Sequence, residues 1–391
     1  MKKSRLVSVL VSRARNEHEP RTRTTIFWLV AILISFSHAH AQLSKAGAGR
    51  AVEWNQTLKA AREEGKVVVL GPPGAPDRKA LTEGFQKSFP GIEVEYTGSS
   101  GFQVVPRLQA ERRAGRYLAD VHVGNPGSIL TSMLPAGMLD PVRPALVLPE
   151  VLDPSKWWEG GLEYADQAGK YNVVFSTDVR THVVANPKLV KKEEMRSYWN
   201  LLDSKWAAKI VMKDPLVRGP GGGTVLFWYI HPALGKEFIR RFFTEQKVTV
   251  SNNDRQILEW VAQDRYAIGV GHSTNIATDF MRKGLSIEEL RSDLFKEGSN
   301  LNAGFGTVVL INRAPHPNAA KVYLNWLLSK EGQTDWSLGS GYPSRRLDVP
   351  RDHLDPLKLP KDGVAYQKQY KEEYTRLQDE VNDFVEKLVK K

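Results

Sequence analysis

The amino-acid sequence predicts an α/β protein of two lobes joined by two crossing strands. Three observations carry that reading. Lys66–Ser100 reads as strand, loop, helix, strand, and the same α/β alternation resumes between Ser197 and Gly271. Strand-like runs at Tyr171–Asn186 and Gly306–Asn312 are placed to carry the chain from one region to the other and back.

Trp54, Leu58 and Ala61 make one face of a first helix, which stops at Gly65. Val67–Leu70 is continuously apolar, as a strand buried on both faces should be. Leu81 and Phe85 lie one helical turn apart, and Pro90-Gly91 ends that helix. Ile92, Val94 and Tyr96 then alternate with Glu93 and Glu95 at the period of a strand. A helix around Gln103–Ala114 and a third strand at Ala119–Asn125 complete the first region, and a wrap rich in Pro, Gly and Trp follows over 135–170. In the second region, a strand at Lys209–Met212 precedes the glycine cluster Gly219–Gly223 and a helix over Thr224–Phe243. A strand at Val248–Val250, a helix at Asp254–Gln263 and a strand at Ala267–Gly271 come next. Pro317–Ser329 reads as a helix, and a stripe from Tyr366 to Leu388 predicts an amphipathic terminal helix packed on its own lobe.

Composition narrows the class. The chain is 41% hydrophobic and 25% charged over 391 residues, enough for two cores of ordinary domain size. Residues 1–25 are rich in Lys and Arg, the apolar run Ile26–Phe36 follows, and Ala39-His40-Ala41 fits a small-residue cleavage site. This predicts an exported, periplasmic protein whose signal peptide is cut near Ala41. There is no cysteine, which excludes disulfides, thiolate metal sites and a lipid anchor at that point. Of the net charge of +11, the leader accounts for about half. The remaining balance, with no basic run interleaved with aromatics, does not suit nucleic acid. No Gly-x-Ser-x-Gly elbow and no His-Glu-x-x-His helix is present, so an exported hydrolase on the same scaffold is the weaker class.

Five segments, in order, resemble the ferric-iron type family of bacterial extracellular solute-binding proteins that serve ABC importers. They are Ala60–Leu70, Phe85–Val94, Leu108–Val121, Asn200–Asp214 and Ala314–Gln333. The resemblance implies a type II periplasmic-binding-protein-like clamshell with two hinge strands. It implies capture of a small solute between the lobes and delivery to a permease driven by a cytoplasmic ATPase, with the protein acting as a monomer and no cofactor. The expected division is a signal peptide at 1–41, a first lobe at 42–178 and 313–348, a second at 179–312, and a helical extension at 349–391. Iron-binding members of the family carry adjacent tyrosines where this chain has Thr274-Asn275. A hydroxyl and an amide are poor replacements for two anionic oxygens, and Tyr96, Tyr229 and Tyr342 are scattered. A ferric-iron or iron-chelate carrier is therefore the alternative, with no metal site expected through this motif.

Candidate ligand residues follow strand ends, where open α/β sheets bind. Ser99 and Ser100 close the second strand, and Asn125 opens the turn after the third. Arg218 precedes the glycine cluster, whose Gly222 lies at the start of a helix suited to an anion. His272, Ser273 and Asn275 follow the strand Ala267–Gly271, and Tyr342 lies in a Gly-Ser-Gly-Tyr-Pro loop. Mostly neutral donors with one arginine suit a small anionic or polar solute, such as a carboxylate, a phosphorylated compound, a phosphonate or a metal chelate.

Overall fold

In the computed structural model, which describes residues 49–99, 101–291 and 294–389, Val67–Leu70 are at most 4% exposed. The reason is their place in a sheet. Strand β1 (Lys66–Gly71) lies between β2 (Glu93–Gly98) and β3 (Val121–Gly124), parallel to both. A helix over 49–64 ends at Gly65, whose φ is +73°. The helix Ala75–Ser88 links β1 to β2, and Gly101–Arg113 links β2 to β3. Short strands β4 (Leu139–Asp140), β5 (Glu163–Tyr164) and β6 (Val173–Val174) extend the same sheet. The chain divides into two units, Met1–Gln56 and Thr57–Lys391, and among the described residues the second holds every sheet. The expected signal peptide at 1–41 lies outside the described residues.

The chain leaves this sheet through β7 (Asp178–Val179). A second sheet follows, in the order β10-β9-β11-β8-β12, from β8 (Val183–Ala185), β9 (Ile210–Lys213), β10 (Thr249–Ser251), β11 (Ile268–Val270) and β12 (Glu288–Leu290). β9, β10 and β11 are parallel, so their carboxyl ends also share one edge. An aromatic core backs the sheet, with Trp228 edge-on to Phe238 at 5.0 Å and Tyr198 stacked on Phe295 at 4.3 Å.

The return crossing is β13 (Asn300–Asn302), antiparallel to β7 with Leu301 opposite Val179. The strand expected to return, β14 (Thr307–Ile311), lies instead inside the first sheet, antiparallel to β3 and β6. Its apolar sequence suits the middle of a sheet covered on both faces, whereas the polar Asn-Leu-Asn suits a short crossing. After β14, the helices Pro317–Leu328 and Lys330–Ser340 pack back on the first lobe. Tyr323 donates its hydroxyl proton to Leu81 O at 2.8 Å, and Phe85 meets Trp326 edge-on at 5.5 Å.

The tail departs from the single helix expected over Val364–Lys391. It forms β15 (Gln367–Lys368), a helical turn Glu372–Thr375 and the helix Gln378–Val389. Tyr370 interrupts any longer helix because it is buried with Leu130, Val174, Val179 and Leu301. β15 pairs in parallel with β13, so the crossing is a three-stranded sheet, β15-β13-β7. The last helix then buries Val381 and Val385 in the core of the second sheet.

Candidate functional site

The loops leaving β1, β2 and β3 are packed against one another. Ser99 N–H donates to Gly71 O at 2.8 Å, tying the second loop to the first. A Cβ on Gly101 would lie 2.1 Å from Ser128 Oγ, so the second loop packs closely on the third. Ser100, between them, lies outside the described residues. Asn125 is exposed, and its Oδ1 accepts the Gly127 N–H at 2.8 Å, capping the Pro126–Ser128 turn.

Across from these loops, the segment after β9 carries Arg218. Its Nη2 lies 2.9 Å from Asp379 Oδ1 on the tail helix, and its side chain remains partly exposed. A Cβ built on Gly127 would lie 3.7 Å from Arg218 Nη1, so the arginine also faces the Asn125–Ser128 loop. Gly222 plays a different part from the one expected. It is buried, and a Cβ there would come 2.8 Å from Val217 O, which makes it a packing glycine and not a ligand contact.

The segment after β11 separates in the same way. His272 does not line the cleft: it is fully buried, with Nε2 2.8 Å from Glu289 Oε1 on β12. The carboxylate engages Nε2, while Nδ1 is buried with no hydrogen-bond partner among the described residues. Ser273 is half-buried at the N-cap of the helix Thr274–Arg282. Asn275, the second residue of that helix, donates from Nδ2 to the Tyr342 hydroxyl at 3.1 Å. Its Oδ1 accepts from Lys358 Nζ at 3.0 Å, and that ammonium also stands 5.7 Å from the centre of the Tyr342 ring. Two residues read from the sequence, Asn275 and Tyr342, thus meet directly, beside a lysine that sequence reasoning missed.

Other missed groups surround this junction. Arg180 donates from Nη2 to His272 O at 3.0 Å. Asp178 is buried on the crossing strand and accepts from Asn302 Nδ2 at 3.3 Å. Burial pushes its carboxyl up, opposed by the charges of Arg180 and Lys358. Asp178 and Arg180 flank Val179 between the apolar pairs Val173-Val174 and Val183-Val184, a signal available in the sequence. Lys358 offered none, because nothing local links it to a strand end. Burial raises the Tyr342 phenol to about 12, and the neighbouring Asp178 charge adds to the effect. Tyr96 is raised as well, by burial and then by Asp77, while its hydroxyl donates to Pro72 O at 2.7 Å. Asp77, in the first turn after the β1 loop, is pushed up by burial to about 6.

The arrangement is a set of cations and neutral donors reaching across a three-stranded crossing, with one carboxyl that titrates near neutrality. Among the described residues no cluster of three or more His, Asp or Glu side chains is arranged to hold a metal ion. Such a set is suited to holding a polar molecule in place.

The sequence model of a family described as bacterial extracellular solute-binding protein matches residues 80–356. No individual curated protein matches the sequence significantly. Solved structures share the fold at low identity. A Trichodesmium protein in complex with iron and citrate superposes with a TM-score of 0.62 at 18% identity, covering 83% of this chain and 99% of its own. Iron-bound HitA from Pseudomonas aeruginosa gives 0.61 at 17%, with the same coverages. The periplasmic binding protein AfuA from Actinobacillus pleuropneumoniae, bound to fructose-6-phosphate, gives 0.56 at 16%, covering 83% of this chain and 98% of its own.

Proposed function

The chain belongs to the bacterial extracellular solute-binding proteins, and from that premise we propose that it captures a small anionic or polar solute between its lobes for an ABC importer. In this reading the loaded protein docks on a membrane permease, whose cytoplasmic ATPase drives uptake. It works in the periplasm as a monomer, after removal of the signal peptide near Ala41, with no lipid anchor because no cysteine is present. The first lobe takes in β14 together with the earlier strands, and the second runs from β8 to β12.

The observation that supports this best is the chain Tyr342–Asn275–Lys358. Asn275 starts a helix of the second lobe, while Tyr342 follows the helix Lys330–Ser340 of the first. A solute held beside these groups touches both lobes at once. Closure is then favoured to the extent that the solute binds the closed form better than the open one. The bending element is the three-stranded crossing. Arg180, Arg218 and Lys358 favour a negative group, with Ser99, Ser273 and the Asn125 loop as neutral donors. Thr274-Asn275, in place of paired phenols, speaks against direct ferric binding there, since both polar atoms of Asn275 already have partners.

Native mass spectrometry of protein freshly released from the periplasm is the test. A small co-purified anion or polar solute, lost on denaturation, is expected. A protein that emerges empty, and that no carboxylate, phosphate or sugar phosphate stabilises in thermal unfolding, would overturn the reading.

A further inference from the structure

Arg218 stands in the segment between β9 and the helix Pro220–Ile230, and it serves the solute site only while its guanidinium points at the first-lobe loops. An arginine on a loop has many rotamers, so something must hold it. The holder comes from the tail. Asp379, the second residue of the helix Gln378–Val389, places Oδ1 2.9 Å from Arg218 Nη2. It lies beyond the stretch 80–356 shared with the family, so the contact belongs to the extension of this chain.

The helix that carries Asp379 is fixed without the ion pair. Val381 and Val385 are buried in the second core, and Asn382 Nδ2 donates to Leu216 O at 3.4 Å, two residues before Arg218. Glu380 accepts the Tyr229 hydroxyl proton and lies 3.6 Å from Lys236 Nζ. The helical turn Glu372–Thr375, earlier in the tail, packs on the Pro126–Ser128 turn of the first lobe. The tail therefore runs beside the place where Arg218 faces that loop.

A guanidinium is planar and holds its N–H donors in a rigid fork, so a carboxylate on Nη2 also sets the direction of Nη1. Nη1 is the nitrogen that faces Gly127, 3.7 Å from a Cβ built there. Immobilising a free arginine on binding weakens affinity roughly two- to tenfold. Asp379 removes much of that loss by ordering the side chain beforehand. Its charge acts the other way, because it repels an anion. The Asp379 side chain is 81% exposed, so water and salt hold that repulsion to about twofold or less at roughly 0.15 M salt. Orientation outweighs repulsion.

We propose that Asp379 is a positioning residue for Arg218, aiming Nη1 at the anionic group of a solute held against the Asn125–Ser128 loop. The inference rests on the proposed capture of an anionic solute, and it adds the tail to the parts that determine affinity.

The test is calorimetric titration of the full mature chain with inorganic phosphate, citrate and fructose-6-phosphate, the tightest of which is carried into the variants. Arg218→Gln should weaken it about tenfold or more. Asp379→Ala should weaken it about fivefold, and Asp379→Asn, which keeps an acceptor at the same place, by less. Asp379→Ala should add nothing once Arg218→Gln is present. Glu380→Ala removes the neighbouring charge of the same helical turn and should leave affinity unchanged, which separates positioning from a loosened helix. Absence of binding by the unaltered protein overturns the anion reading and this inference together. Unchanged affinity in Arg218→Gln takes the arginine, and Asp379 with it, out of the site. A loss in Arg218→Gln with equal or tighter binding in Asp379→Ala, or an equal loss in Glu380→Ala, overturns the role of Asp379 alone.

Discussion

Asn275 shows how one side chain can be the seam of a molecule. It donates to a phenol of the first lobe and accepts from a buried lysine of the tail, using its amide in both senses. A hydrogen bond to a charged partner contributes about 1.5–3 kcal/mol and a neutral one about 1 kcal/mol. Removing both by Asn275→Ala leaves the buried Lys358 ammonium without this acceptor, so the unfolding temperature should fall, and capture of the co-purified solute should weaken about tenfold or more, read by calorimetry. Two histidines make a different prediction. His122 and His182 are fully buried, and burial lowers them to about 4 and about 3. In the unfolded chain they titrate near 6.5, so the folded form holds fewer protons below that pH. Their contribution is complete above about pH 6.5 and declines as pH falls toward their folded values, by up to about 1.4 kcal/mol per histidine per pH unit. Urea unfolding at pH 7 and pH 5 should therefore show a clearly lower midpoint at pH 5.

Among the elements, the tail has the most unexpected form. Its stripe of apolar residues was visible in the sequence, but the stripe serves two cores: Tyr370 in one, Val381 and Val385 in another. Full burial of a valine stabilises by about 1.5–3 kcal/mol. A chain ending at Thr375 should thus unfold at a markedly lower temperature, measured by calorimetry, with the loss falling on the second lobe. What was legible follows from locality. The unit from β1 to β2 reads correctly because its strands and helix are set by neighbours in sequence. The return crossing was misplaced because Asn300–Asn302 has one apolar residue, while Thr307–Ile311 has the stronger strand pattern. At the site, Asn275 stood out in the sequence as a polar residue following a strand, and Tyr342 as one in a glycine-rich loop. Lys358 was not, since its role comes only from where the chain folds back. Gly222 and His272 misled because the local pattern of a binding loop is also that of tight packing.

For the whole molecule, electrostatics sets a test of the kind of solute. Asp77 is held at about 6 by burial close to the loops of the first lobe. Above that pH it is a carboxylate and repels an anion; below it the group is neutral. Affinity for an anionic solute should rise several-fold as pH falls from 7 to 5, and Asp77→Asn should flatten the profile. Titrations across that range check both outcomes. A flat profile in the unaltered protein would remove Asp77 from the field felt by the solute.

The order of synthesis gives the third crossing strand a further consequence. β15 lies near the end of the chain, after every strand of both large sheets. Domains fold as units while the chain emerges from its amino end. Both large sheets can thus be paired while the joint between them still lacks a strand and the second core its last helix. A chain cut short before Gln367 keeps the strands of both sheets and loses the third strand of the joint together with that helix. Full length is in that sense proof-read by the hinge itself.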